Sequence, residues 1–121
     1  MAQRPRSPYA VAKLAGEYYC QAFYRTYGRE TVGIRSFNVF GPRQDPASEY
    51  AAVIPRFIAA AKSGRRATIY GDGEQTRDFT YVDNVVRANL LAANAPRVAG
   101  EVANAACGTS ISLNDIIKQL N

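Results

Sequence analysis

Ser7-Pro8-Tyr9-Ala10-Val11-Ala12-Lys13 opens the stretch that decides how this chain is read. Ser7 is a good N-cap, and Pro8 suits the first helical position, where a backbone N–H lacks an intrahelical partner anyway. Gly28 then stands where a left-handed residue closes a helix, so the spacing predicts a helix from Pro8 to about Tyr27. Tyr9 and Lys13, four residues apart, fall on one face of it. A free phenol ionises only near pH ~10, and a neighbouring cation favours the phenolate. The pair can therefore do acid/base chemistry, although an isolated Tyr-x-x-x-Lys is more often an ordinary surface pair. Val11, Leu14, Ala15, Tyr18, Ala22 and Phe23 form a broad apolar stripe, which Tyr19, Tyr24 and Tyr27 widen. One face of a small domain needs less, so the surplus is either core or an association surface.

Outward from this helix, 121 residues allow one domain, and 47% apolar with 21% charged residues is a globular composition. With no His and only Cys20 and Cys107, a zinc site, a Ser/His/Asp triad and a disulfide framework are excluded. Residues 1–7 are polar and lack the apolar core of a secretory signal, and no run is long enough to span a bilayer; the expectation is a cytoplasmic protein. The net charge of +5 invites a nucleic-acid partner. Its cations are scattered, however, only Arg4/Arg6 and Arg65/Arg66 approach clusters, and neither sits in a recognisable nucleic-acid motif; a small anionic ligand accounts for local arginines equally well.

Thr31–Phe37 reads as a strand, and 38–46 as a loop punctuated by Gly41-Pro42 and Asp45-Pro46. A loop leaving a strand is where an α/β fold places ligand contacts. A helix is predicted over Ala51–Ser63, with Pro55 near its first turn and Gly64 ending it. Thr68–Tyr70 is a short strand candidate before the turn Gly71-Asp72-Gly73, and Arg77-Asp78 follow in an exposed position. A helix over Val82–Asn94, capped by Asp83 or Thr80, a strand over Glu101–Asn104 and a helix begun by Ser112, with Asp115 at the capping-box position, complete the chain. Helices and strands alternate, so the class is α/β.

Several separated stretches then agree. Ser7 to Glu17, Arg35-Ser36-Phe37-Asn38-Val39-Phe40-Gly41-Pro42-Arg43, Ile69 to Gly73, Thr76-Arg77-Asp78-Phe79-Thr80-Tyr81-Val82-Asp83 and the Ala106–Leu113 end stand in one order and spacing. The chain resembles the extended short-chain dehydrogenases/reductases, in their NAD-dependent epimerase/dehydratase branch, and within it the 4-epimerases of UDP-hexoses and UDP-N-acetylhexosamines. The resemblance implies the C-terminal part of an extended Rossmann-like fold with part of the substrate domain. Residues 1–50 would carry the Tyr-x-x-x-Lys helix, a strand and a substrate loop; residues 51–121 would be the substrate-binding part.

By that resemblance Tyr9 is the acid/base and Lys13 its partner, also bonded to the nicotinamide ribose of NAD. Phe37 lies by the nicotinamide. Asn38 contacts the diphosphate region of a UDP-sugar and Arg77 the diphosphate itself, a bidentate task suited to a guanidinium. Ala52, Val53, Arg56 and Tyr70 border the uridine. Ser36 stands where an aromatic is commoner in the family, which implies altered packing. The family's Gly-rich dinucleotide turn precedes the Tyr-x-x-x-Lys helix, and no such turn occurs in these residues. The expectation is therefore a second-half fragment that is catalytically silent alone, self-associating through the Tyr9–Tyr27 helix or completed by an N-terminal half. A non-catalytic binding or assembly module is the alternative, and dehydratases, decarboxylases and reductases are neighbouring activities.

Overall fold

In the computed structural model, which describes residues 3–48 and 53–120, the elements in chain order are α1 (Pro8–Tyr27), β1 (Gly33–Ser36), β2 (Val39–Phe40), α2 (Val53–Lys62), β3 (Thr76–Arg77), β4 (Thr80–Tyr81), α3 (Val82–Asn94), β5 (Val102–Ala105), β6 (Ile111–Ser112) and α4 (Leu113–Leu120). The chain divides into two units. One comprises the residues up to Arg35 with Arg87–Asn104; the other comprises Ser36–Val86 with the residues from Ala105 on.

The first unit begins as its cap residues dictate. Ser7, extended at φ −148°, accepts from the Ala10 N–H at 3.1 Å, and Pro8 takes the first position. Gly28, at φ 65°, donates its N–H to the Tyr24 carbonyl and ends the helix in the left-handed conformation that lacks a Cβ penalty. Two polar ties fasten α1 to the segment after it. The Thr31 hydroxyl donates to the Cys20 carbonyl at 2.8 Å. The Arg35 guanidinium grips both carboxylate oxygens of Glu17, at 2.7 and 2.6 Å. β1 pairs with β5, and the Gly33 N–H donates to the Glu101 carbonyl just before that strand. No residue of α1 is buried. Its aromatic surplus stands exposed, with Tyr19 at 67% and Tyr27 at 73%, so it is not core within this unit.

The second unit holds the buried apolar cluster. Phe57 of α2 meets Leu113 and Ile116 of α4, with Val53, Ile54, Ala67, Ile69, Phe79, Ile111 and Ile117 packed around them. The i, i+3, i+4 spacing of Val53, Ile54 and Phe57, and of Leu113, Ile116 and Ile117, puts each set on one helix face. Full burial of such side chains contributes roughly 1.5–3 kcal/mol apiece. β2 runs parallel to β4, pairing Val39 with Thr80 and Phe40 with Tyr81. β3 runs antiparallel to β6, pairing Thr76 with Ser112 and Arg77 with Ile111. Ser112 caps α4 by accepting from the Asp115 N–H, as its position implies. The Asp115 carboxylate accepts from the Ser112 hydroxyl and from Lys118. Those two bonds, Lys118 first, hold its pKa below the usual range.

Three expectations need correction. Thr68–Tyr70 is not a strand: Ile69 is drawn into the apolar cluster, and the Tyr70 carbonyl is met by the Gln75 side chain at 3.1 Å instead of a neighbouring strand. The stretch 38–46 is not wholly loop, because Val39-Phe40 find a partner in Thr80-Tyr81, with the Phe40 ring 5.5 Å from that of Tyr81. Asp78 is half-buried, not exposed. The first two residues of the helix expected over Ala51–Ser63 lie outside the described residues; within them it ends at Lys62.

Gly73 is buried at φ 77°, and a Cβ there would strike the Asn114 side chain. Asn114 in turn donates to the Asp72 carbonyl and the Glu74 carboxylate, closing the turn onto α4. Gly73→Ala is therefore expected to lower stability by about 1–3 kcal/mol in urea denaturation. Gly71→Ala, with open space around it at φ 88°, should cost less.

Hydrogen bonding to Arg35 holds the Glu17 carboxyl below its ordinary pKa. A folded pKa below the unfolded value, near ~4.3, means the carboxylate's contribution is complete above that pH and is lost as pH falls through the lowered folded value. Arg35→Met should reduce the melting temperature at neutral pH and flatten its acid-side decline. Thermal melts of both chains across the acid range read this directly.

Candidate functional site

Tyr9 and Lys13 lie in the first unit. The first turns of α1 set them one above the other, and the Lys13 Nζ sits over the Tyr9 ring, 5.3 Å from its centroid. Both side chains are exposed, Tyr9 at 61%. The amine lies at the ring face of the phenol on the side of the helix that the four-residue spacing requires. An ammonium beside a phenol is a donor set fit for sugar or ribose hydroxyls, with the phenol able to exchange one proton.

The remaining anticipated residues lie in the second unit. Asn38 is the best defined. Its backbone takes the left-handed conformation at φ 37°, which asparagine tolerates better than most residues. Its Nδ2 donates to the Asp78 carbonyl at 2.7 Å, while its own carbonyl accepts from the Thr80 N–H at 3.4 Å. The short β2–β4 ladder begins there. Arg43, in the loop after β2, is a second non-glycine residue at positive φ, 65°. Non-glycine residues in this conformation carry strain that their surroundings must hold, and such strain gathers at functional loops.

Arg77 sits on β3 with its side chain exposed, and no ion pair engages it among the described residues. Its neighbour Asp78 does not quench it. The Asp78 carboxylate accepts instead from the Cys107 N–H at 3.0 Å and the Gly108 N–H at 2.8 Å. The Thr80 hydroxyl, on a residue only 2% exposed, finds no hydrogen-bond partner among the described residues.

Phe37, between β1 and β2, is 39% exposed. Tyr70 is 80% exposed. Arg56 is exposed on α2 and donates to the Ser48 carbonyl at 3.1 Å. Val53 packs against the apolar cluster, so its side chain is at least partly structural. Ala52 lies outside the described residues. The structure thus groups Asn38 with the segment that carries Arg77, and sets Phe37 next to Asn38 in sequence; it makes no such link for Val53. Two hollows, of about 660 Å³ beside Tyr24 and Arg97 and about 600 Å³ beside Phe57 and Arg66, are lined by none of the anticipated residues.

Sequence reading misses Asp78. Its signal is its place directly after an arginine and before an apolar-aromatic strand, but its two amide partners stand 29 and 30 residues away. No group of His, Cys, Asp and Glu among the described residues could hold a metal ion, and no helix there is long and apolar enough to cross a membrane.

The comparisons with known proteins agree with one another. The UDP-glucose 4-epimerase of Mycolicibacterium smegmatis is 40% identical over 116 residues, which are 96% of this chain and 36% of that protein. Among solved structures, the UDP-N-acetylglucosamine 4-epimerase of Methanobrevibacter ruminantium, in complex with UDP-N-acetylmuramic acid, is 48% identical with a TM-score of 0.89 over 95% of this chain and 36% of that one. The UDP-glucuronic acid 4-epimerase of Bacillus cereus, in complex with UDP-glucuronic acid and NAD, is 37% identical with a TM-score of 0.87 over 99% of this chain and 37% of that one. The chain therefore spans little more than a third of the length of the proteins it matches, and its α/β elements are those of their Rossmann-like fold. Residues 1–106 match the NAD dependent epimerase/dehydratase family, and the chain belongs to it.

Proposed function

We propose that this chain carries the proton-transfer pair and the substrate-binding side of an NAD-dependent 4-epimerase acting on a UDP-sugar. The observation that supports the reading is the stacked Tyr9–Lys13 pair at the start of α1, together with the hydrogen bond that ties Asn38 to the Arg77-Asp78 segment. Tyr9 takes the proton of the sugar 4-hydroxyl and returns it at the end of the turnover. Lys13 keeps positive charge beside the phenol and bonds the cofactor ribose, with Phe37 at the nicotinamide. NAD, when bound, supplies the acceptor that oxidises C4 transiently and is regenerated within the turnover. Arg77 and Asn38 hold the diphosphate; Tyr70, Arg56, Val53 and Ala52 border the uridine.

Tyr9, Lys13 and Phe37 suit the nicotinamide-ribose end of such a cofactor, while the Gly-rich turn that anchors a pyrophosphate is not among the 121 residues. The 121-residue chain therefore binds UDP-sugar more readily than NAD. Calorimetry with UDP-glucose, UDP-N-acetylglucosamine and NAD as separate titrants should show heat for a UDP-sugar. Arg77→Lys, which keeps the charge and loses the fork, should weaken it about tenfold. Absence of binding by every UDP-sugar tried would remove the reading.

The exposed aromatics of α1 favour a second role for that helix as a contact surface. Tyr18, Tyr19, Phe23 and Tyr27 stand 45–73% exposed along it, and apolar surface of this extent marks an interaction site. It receives either a second copy of the chain or a nucleotide-binding half, and a chain in that state without NAD binding is an assembly module. Light scattering after size exclusion should find a dimer or larger at micromolar concentration, and Tyr19→Glu with Phe23→Glu should return it to monomer. A clean monomer from the unsubstituted chain argues against self-association.

A further inference from the structure

Within the second unit, Asp78 joins three stretches that are far apart in sequence. Its backbone carbonyl accepts from the Asn38 amide at 2.7 Å. Its two carboxylate oxygens accept, one each, from the Cys107 and Gly108 N–H groups, at 3.0 and 2.8 Å. Gly108 is at φ 74°, a conformation that turns consecutive N–H groups toward one acceptor. Arg77 immediately precedes it. We infer that Asp78 is a positioning residue for the substrate site: it fixes the Asn38 side chain and keeps the Arg77 guanidinium available by committing its own charge elsewhere.

Competition for the guanidinium is the deciding effect. A carboxylate within reach of an arginine competes for it, and an arginine so paired has less to offer a diphosphate. In this turn both oxygens are taken by backbone N–H groups, so the negative charge is satisfied without the guanidinium. The same grip fixes the peptide whose carbonyl orients Asn38. With one N–H of the Asn38 amide held there, its second N–H and its Oδ1 are set in direction before any ligand arrives. Preorganisation of this kind spares the ordering that binding would otherwise cost. Asp78 itself, with both oxygens engaged, touches no ligand.

The inference rests on the UDP-sugar reading, so its test has an arm that needs no ligand. In hydrogen exchange followed by NMR on the 121-residue chain, the exposed Cys107 and Gly108 amides should be protected, and Asp78→Ala should speed their exchange at least about tenfold. The Asn38 side-chain amide protons should accelerate with them. Asp78→Asn, close in size and able to accept at only one oxygen, is the second variant should the alanine chain not fold.

In calorimetry with UDP, Asp78→Asn should weaken binding about tenfold, and combining it with Asn38→Ala and Arg77→Ala should cost no more than those two changes alone. Amides unprotected in the original chain, an Asn38 amide indifferent to residue 78, or a loss that simply adds to the other two would overturn the inference. A chain that binds no UDP ends the substrate reading, and the exchange arm then decides separately whether Asp78 positions Asn38.

Discussion

A carboxylate that takes two consecutive backbone N–H groups can hold a loop without hydrophobic surroundings, and this structure relies on fastenings of that sort. Among the described residues, Phe57, Leu113 and Ile116 are the buried apolar side chains, and all three belong to one unit. Outside that cluster both units are tied by charge and directed hydrogen bonds: Glu17 with Arg35 in the first, Asp78 with Cys107 and Gly108 and Asn114 with Asp72 and Glu74 in the second. Such ties are directional, so they set orientation as well as proximity. That suits the UDP-sugar surface proposed above.

The chemistry attributed to the site divides in the same way. A phenol and an ammonium one helical turn apart need only a correctly begun helix, and Ser7 and Pro8 begin it. A diphosphate contact needs more: a guanidinium left unpaired and an amide aimed in advance. Neither follows from Arg77 or Asn38 alone. Both depend on how residue 78 disposes of its charge and its carbonyl.

Local signals in the sequence are reliable guides to this fold. The N-cap at Ser7, the left-handed stop at Gly28, the cap at Ser112 and the span Val82–Asn94 are decided by residues within a few positions of each other. Sequence reading fails where a distant partner decides. Ile69 has a strand's pattern but goes to the apolar cluster, and among the described residues no strand pairs with it to complete a ladder. Val39 and Phe40 have a loop's surroundings but become strand, because Thr80 and Tyr81 supply one. The residues proposed for the site are singled out by family likeness, and the grip of Asp78 on residues 107 and 108 is not legible at all, since spacing carries no trace of a contact across some thirty residues. The aromatic excess of α1 is legible as excess; where it goes is not.

Each of the two units is sewn from stretches that the other interrupts. β1 at Gly33 must wait for β5 at Val102, and Asn38 for Asp78, which must itself wait for Cys107. Closing loops of this length costs entropy before any contact repays it, and chains dominated by distant pairings fold slowly. During synthesis, α1 can wind as soon as it emerges, since its caps are local. The pairing of β1 with β5, and the turn that sets Asn38 against Asp78 and Asp78 against Cys107, stay unfinished until the residues beyond 100 have left the ribosome.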